Sequence, residues 1–278
     1  MRIGIGLPST VPGVDPGDIV EWAVRAEEAG CFSSVGVLDR MVYDSYDPIV
    51  TLSAAAGATD DLRLVSMIVA SPLRSTGVLA KEAASLHALS GGRLTLGVAL
   101  GAREEDYDVA GSDWSRRGRI LTEQLETLRD IWEDAGVAPS AMDSTPDLLV
   151  GGLSGNAYLR VARYADGYVH NGGPARAFAS AASKAHAAWQ EAGRPGEPQL
   201  WGQNYIGLGD PDAGREYLLD YYAFTGPFAE RIAQGLLDSP RAVKDIIRGY
   251  EDEGCDELIL FPTSLDLDEL DRLADIIS

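Results

Sequence analysis

Eight short runs rich in Val, Ile and Leu alternate along the chain with helical windows, and little else separates them. The runs fall at residues 3–7, 34–38, 62–69, 94–100, 148–151, 167–170, 200–208 and 257–261. Helical windows cover 16–29, 48–59, 76–89, 117–132, 156–165, 175–192 and 211–253, the last broken at Gly226-Pro227 and Ser239-Pro240, with a final one at 268–277. Near-continuous apolar character marks strands covered on both faces, which is what a parallel sheet flanked by helices requires. The window 117–132 has the complementary pattern: Ile120, Leu121, Leu125, Leu128 and Trp132 share a stripe that Glu123, Glu126, Arg129 and Asp130 largely avoid. Eight βα units in 278 residues predict an α/β fold, a single TIM (β/α)8 barrel domain over residues 1–278, in preference to an open doubly wound sheet.

An internal echo agrees with repeated βα units. AEEAGCFSSVGVLD at 26–39 and YEDEGCDELILFP at 250–262 each run from an acidic helix end through Gly-Cys into a strand. In a barrel this places Cys31 and Cys255 on the N-terminal, stability face, as small packing residues without a disulfide. Two cysteines and three scattered histidines give no metal-ligand spacing. The net charge of −20, from 43 acidic and 23 basic residues, repels a phosphate backbone and makes nucleic acid and anionic membranes poor partners. No apolar stretch has membrane-spanning length, and MRIGIGLP enters a strand directly, so a soluble, cytoplasmic protein is expected.

Chemistry in such a barrel belongs at the C-terminal strand ends. These nominate Asp39-Arg40, Ala70-Ser71-Pro72, the residues after Gly101, the segment after Gly151, His170-Asn171, Gln203-Asn204 and Pro262-Thr263. In LSGGRLTLGVALG, residues 89–101, glycines within and after a buried strand imply close approach by a ligand or a neighbouring chain. In VGGLSGNA, residues 150–157, Gly151 and Gly152 let successive N–H groups turn outward, Ser154 and Asn156 add donors, and a helix begins there. That arrangement suits a phosphate, and equally an ordinary βα turn with a Ser or Asn cap. Neither G-x-G-x-x-G nor a P-loop lysine occurs, which disfavours a Rossmann-type nucleotide and leaves a flavin-type phosphate open. His170 beside Asn171-Gly172-Gly173 reads as a structural histidine or a ligand contact, and Asp39-Arg40 as an exposed ion pair or a functional one. The charged segment 101–119, with Arg103, Arg116, Arg117 and Arg119, reads as a solvated network, or as a lid or a contact to an anionic tail.

Together, GIGLP, AVRAEEAGCFSSVGVLDR, RLVSMIVASPLRSTGVLAKEAASLHALSGGRLTLGVALGAREEDY and VGGLSGNAYLRVARYADGY resemble the luciferase-like flavin monooxygenase family in order and spacing over most of residues 1–170, and YYAFTG and GCDELILFPT fit a smaller branch of it. The resemblance implies a luciferase-like TIM barrel with reduced FMN, or the related deazaflavin coenzyme, lying across the C-terminal face. It implies a non-prolyl cis peptide at Met67–Ile68 with Ser66 beside it, and phosphate contacts at Leu153, Ser154 and Ala157. It further implies a small organic substrate, oxygen, a separate flavin reductase, and a homodimer through helices near the second and third strands, where Ile49, Leu52 and the 54–58 alanine-rich face lie. Two departures stand out. Many members have Asp-His where this chain has Asp39-Arg40, so the catalytic group is expected to be Arg40, acting electrostatically, or His170. The connection 132–146 is shorter than in relatives and is expected to open the rim of the pocket. The primary expectation is therefore an FMN-dependent monooxygenase. Deazaflavin hydride transfer, or a flavin-binding relative without turnover, are the alternatives; a phosphate-binding isomerase or aldolase is disfavoured for want of a lysine or paired carboxylates at a strand end.

Overall fold

Each of the eight apolar runs forms part of one sheet in the computed structural model, which describes residues 1–133 and 136–278. The strands are β1 (Arg2–Gly6), β2 (Ser34–Val37), β3 (Arg63–Ser66), β4 (Val69–Ala70), β5 (Leu94–Ala99), β6 (Asp147–Gly151), β7 (Gly167–His170), β8 (Gln199–Ile206) and β9 (Glu257–Pro262). All pairings are parallel, in the order β3-β2-β1-β9-β8-β7-β6-β5-β4, and a further β3–β5 pairing closes the ring. β3 and β4 are two halves of one stave, so the closed barrel has the eight staves expected.

The helices are α1 (Pro16–Glu28), α2 (Pro48–Ala58), α3 (Thr76–Leu89), α4 (Glu104–Ala110), α5 (Arg117–Glu133), α6 (Gly155–Tyr164), α7 (Ala175–Glu191), α8 (Pro211–Tyr221), α9 (Phe228–Gln234), α10 (Pro240–Asp252) and α11 (Asp268–Ile277). Their starts are written in the sequence. Asp15, Asp47, Asp210 and Ser239 each precede a proline and accept an amide of the first turn, and Ser75 and Ser154 do the same without one. α1, α2, α3, α5, α6, α7, α10 and α11 form the outer ring. The short α4 and the α8–α9 pair are extra, and they follow the C-terminal ends of β5 and β8. α4 lies inside the charged segment 101–119; Glu104, Glu105 and Asp106 in its first turn and Gly111 at φ 66° after it are its helix signals.

Strand alternation divides the core. Val35, Val37, Leu64, Leu96, Val98, Leu148, Val150, Tyr168, Leu258 and Leu260 pack outward against the helices. Val65, Met67, Leu149, Val169, Trp201, Tyr205, Ile259 and Phe261 form an inner cluster that fills the lumen. Cys31 and Cys255 are free and lie before β2 and β9, at the N-terminal end. Ile49 and Leu52 are buried against the chain's own barrel, and the outer face of α2 carries Val50, Ala54 and Gly57. Among the described residues no helix is long and apolar enough to cross a membrane, and no His/Cys/Asp/Glu group could hold a metal.

The broken third stave has a specific cause. β5 pairs Thr95 with Val65 but Val98 with Val69, so the third stave carries one more residue than its neighbour between those points. The Met67–Ile68 peptide there is cis, where the family resemblance places it. Ser66 Oγ donates to the Gly97 carbonyl (2.8 Å) and accepts from the Gly97 amide (2.9 Å), and the Ser66 carbonyl oxygen lies where a Cβ on residue 97 would be. What approaches this glycine is therefore the neighbouring backbone. Gly97→Ala is expected to destabilise the fold by about 2–3 kcal/mol through this overlap, seen as a lower urea midpoint. Gly57→Ala, on an open helix surface, should be neutral or stabilising; equal midpoints for wild type and Gly97→Ala would show that the contact is dispensable.

Candidate functional site

The added residue on the third stave sends both Met67 and Ile68 to the lumen cluster, breaking the alternation. Ile68 Cγ2 lies near the backbones of Gly97 and Gly151, and Ala99 adjoins Gly151 as well. Ile68, Ala99, Gly101 and Gly152 are each partly exposed, so this half of the mouth is an apolar floor with small side chains, open to solvent. Gly152 at φ 127° turns the chain off β6. Residues 153–156 are exposed at the start of α6, where an α-helix leaves its first N–H groups without intrahelical acceptors and presents its positive end. Ser154 Oγ accepts from Ala157 N at 3.3 Å, so its hydroxyl acts as the helix cap.

The other half of the mouth is covered by aromatic side chains from the α8–α9 excursion. Tyr217, Tyr221 and Leu218 of α8 join Tyr205, Leu38 and Phe261 in the lumen cluster, with Tyr222 and Tyr43 packed against it. Tyr205 and Tyr222 share a hydroxyl–hydroxyl hydrogen bond of 2.6 Å, Thr10 and Tyr217 one of 2.8 Å, and Tyr43 donates to Asp220 at 2.7 Å. Burial pushes the Tyr205, Tyr217 and Tyr221 phenols up, so they remain protonated donors. This cap was not legible in the sequence as a site element. Tyr217 and Tyr221 sit four residues apart, the spacing any buried helix face would show.

Asp39 and Arg40 do not pair with each other. Asp39 accepts from Ala70 N (2.9 Å) and Arg74 Nη1 (2.7 Å), while Arg74 also bridges to Asp47 (2.8 Å), which fixes the β2 end against the third stave. Arg40 turns to the aromatic cap, its guanidinium carbon 4.1 Å from the Tyr43 ring centroid and 4.4 Å from that of Tyr221, and donates to the Tyr221 carbonyl. Gln203 follows Trp201 on the inward face of β8 and has a buried Oε1 with no donor. Ser66, as described, spends its hydroxyl on Gly97.

Two expectations are corrected. His170 is adjacent to Val169, which occupies the lumen, so its ring points the opposite way, between the sheet and the helices, against Phe178 (5.8 Å), Tyr168 and Tyr250. It cannot touch a group in the mouth. The connection 132–146, of which residues 134–135 lie outside the described residues, belongs to the N-terminal end: Val137 O accepts from Lys81 and Ser144 bonds His87 at 3.2 Å. An αβ connection sits opposite the catalytic face, so its length cannot open the pocket rim. Two shallow surface pockets lie at that end as well, about 300 Å³ beside Met1, Arg2, Cys255 and Asp256 and about 120 Å³ beside His87, Gly91 and Met142.

The luciferase-like monooxygenase family model matches residues 1–263. The chain belongs to that family. It is 32% identical over 185 residues to an uncharacterized protein of Mycobacterium tuberculosis strain H37Rv, covering 54% of this chain and 64% of that one. It is also 32% identical over 148 residues to an F420-dependent glucose-6-phosphate dehydrogenase of Kribbella flavida, covering 50% of this chain and 44% of that one. The matches thus span less than two thirds of those relatives. Two solved structures share the fold: an F420-dependent secondary alcohol dehydrogenase bound to an F420–acetone adduct (TM-score 0.81, 18% identity, 99% of this chain and 97% of that one) and the monooxygenase RslO1 from Streptomyces bottropensis (TM-score 0.78, 21% identity, 99% and 97%).

Burial lowers the His170 pKa from 6.5 to about 4, so the ring is neutral in the fold. The unfolded chain binds the proton first as pH falls. The stability this histidine contributes is present above about pH 6.5 and is lost toward pH 4, by roughly 2–3 kcal/mol. Urea unfolding at pH 7 and pH 4.5 is expected to show a smaller loss in His170→Asn than in wild type; an identical loss would mean that the ring titrates freely.

Proposed function

We propose that the protein is an oxidoreductase that uses a deazaflavin coenzyme of the F420 type to transfer a hydride to or from a small organic molecule. The observation that carries this reading is the open floor of Ile68 and Ala99 over buried Gly151, lying directly beside the exposed first turn of α6. A flat ring needs an apolar surface without projecting side chains, and its phosphate needs fixed N–H donors a short distance away. The residues fit such a group. Ile68, Ala99 and Gly151 would carry the ring, the amides of residues 152–156 with Leu153, Ser154, Asn156 and Ala157 would hold the phosphate, and the donor-free Gln203 Oε1 would meet a ring N–H. When bound, the coenzyme supplies the hydride chemistry. The aromatic cap keeps water from the reacting face, and Arg40 supplies positive charge at the mouth.

Support for F420 over FMN comes from the Kribbella relative, whose name specifies that coenzyme. The second reading is the FMN- and oxygen-dependent monooxygenase, with a separate reductase as supplier. Its support is the likeness of fold to RslO1. Titration of the purified protein with F420 and with FMN, followed by fluorescence, separates the two. Micromolar affinity for F420 and weak binding of FMN are expected; the reverse order would favour the monooxygenase, and no binding of either would remove both. Ser154→Asp should weaken binding of the preferred coenzyme by at least ~1 kcal/mol, since it places a negative charge beside the phosphate. Unchanged affinity would move the phosphate elsewhere.

A further inference from the structure

Two arginines meet over one aromatic ring at the mouth, and both keep buried donors without acceptors. Arg40 comes from the end of β2 and Arg103 from the end of β5. Their guanidinium carbons lie 5.7 and 5.2 Å from the centroid of Phe224. Stacking uses the flat face of a guanidinium, while its N–H groups radiate in the plane and still need acceptors. Arg40 Nη1 donates to the Tyr221 carbonyl, and Arg103 Nη2 pairs with half-exposed Glu105. Arg40 Nε and both Nε and Nη1 of Arg103 are buried and have no partner, and the Arg103 side chain is only 11% exposed.

This pattern contrasts with several other partly buried arginines. Arg74 is met by Asp39 and Asp47, Arg63 by Asp147 and Arg129 by Asp166, while Arg93 and Arg160 are met by carbonyl and hydroxyl oxygens. Acidic residues are abundant, 43 against 23 basic. Yet the nearby carboxylates are committed elsewhere: Asp39 to Arg74, Asp106 to the Val42 amide and Asp220 to Tyr43. Burying cationic donors without acceptors is costly unless an anion arrives to meet them.

We propose that Arg40 and Arg103 together hold an anionic group, a carboxylate or a phosphate, on the substrate. Both guanidiniums face Phe224, which belongs to the α8–α9 excursion and not to α6, so the anion is assigned to the substrate and not to the coenzyme; that assignment rests on the function proposed above. Phe224 is 39% exposed on the 3-10 turn Ala223–Thr225, and Gly226 follows at φ 58°. Its ring covers both guanidiniums, and the anion enters by displacing it. Arg40 then serves as a substrate anchor in a position where many relatives have an imidazole.

Calorimetric titration of the F420-loaded protein with inorganic phosphate, benzoate and uncharged benzamide tests the pair. Phosphate and benzoate are expected to bind, with benzamide at least tenfold weaker. Arg40→Gln and Arg103→Gln should each weaken the two anions tenfold or more, the double variant should lose them, and Arg103→Lys should recover part of the affinity. F420 affinity and urea midpoints of the Arg103 variants should stay close to wild type, and cooperative urea unfolding of the Arg40 variants shows that they too are folded. Equal anion affinity in wild type and the double variant, or equal binding of benzoate and benzamide, overturns the proposal. If F420 does not bind, the functional reading fails by itself. The same titration on coenzyme-free protein, with Ser154→Asp closing the α6 terminus, then still decides whether these arginines hold an anion.

Discussion

The contact between Ser66 and Gly97 is the constraint from which the geometry of the mouth follows. One surplus residue on the third stave would ordinarily slip every later side chain to the wrong face. Here the Ser66 hydroxyl clamps both backbone groups of Gly97, and the Ser66 carbonyl occupies the space of an absent Cβ, so the irregularity is confined to Met67 and Ile68. The ladder resumes at Val69 in register with Val98. The result is a local exception inside a regular barrel: Met67 seals the lumen, and Ile68 is left partly exposed above it as floor.

From that floor the two halves of the mouth acquire different characters. On the β4–β6 side small residues and glycines keep the surface low, and the helix that follows β6 offers amides. On the β8–β9 side the α8–α9 excursion brings tyrosines over the lumen, where their hydroxyls satisfy one another or Thr10 instead of reaching for water. The asymmetry follows from chain order: both additions to the simple βα repeat follow C-terminal strand ends, where length can change without disturbing the parallel ladder.

The barrel was legible because buried parallel strands read as continuous apolar runs, and because Asp-Pro and Ser-Pro pairs mark several helix starts. The site was legible only in part. The segment 150–157 stood out because glycines followed by a serine cap have few other uses, and the structure does place an exposed helix terminus there. His170 misled because Gly167, Tyr168, Val169 and His170 put sizeable side chains on both faces of β7, so composition does not say which face is the lumen. The length of the connection 132–146 says nothing of the mouth, because a segment running from helix to strand belongs to the opposite end. The cap tyrosines were hidden because helix periodicity reports that a face is buried, never what it is buried against, whereas Arg103 stands out in the charged segment 101–119 without any sign of what it meets.

These placements also limit which proton-handling groups the proposed chemistry can use. Arg40 offers N–H donors only and has no lone pair with which to accept a proton. His170 is neutral but faces the helices, and Asp39 is held by the Ala70 amide and Arg74. The tyrosines of the cap are raised by burial and so act as donors, with the Tyr205–Tyr222 pair closest to a relay. A mouth with fixed cations and protonated phenols, and no base free to face it among the described residues that line it, is suited to stabilising negative charge that develops on a substrate. Within the proposed reaction class, cations and phenols at the mouth thus stand where many relatives have an imidazole, and any proton exchanged with the substrate would pass through a phenol.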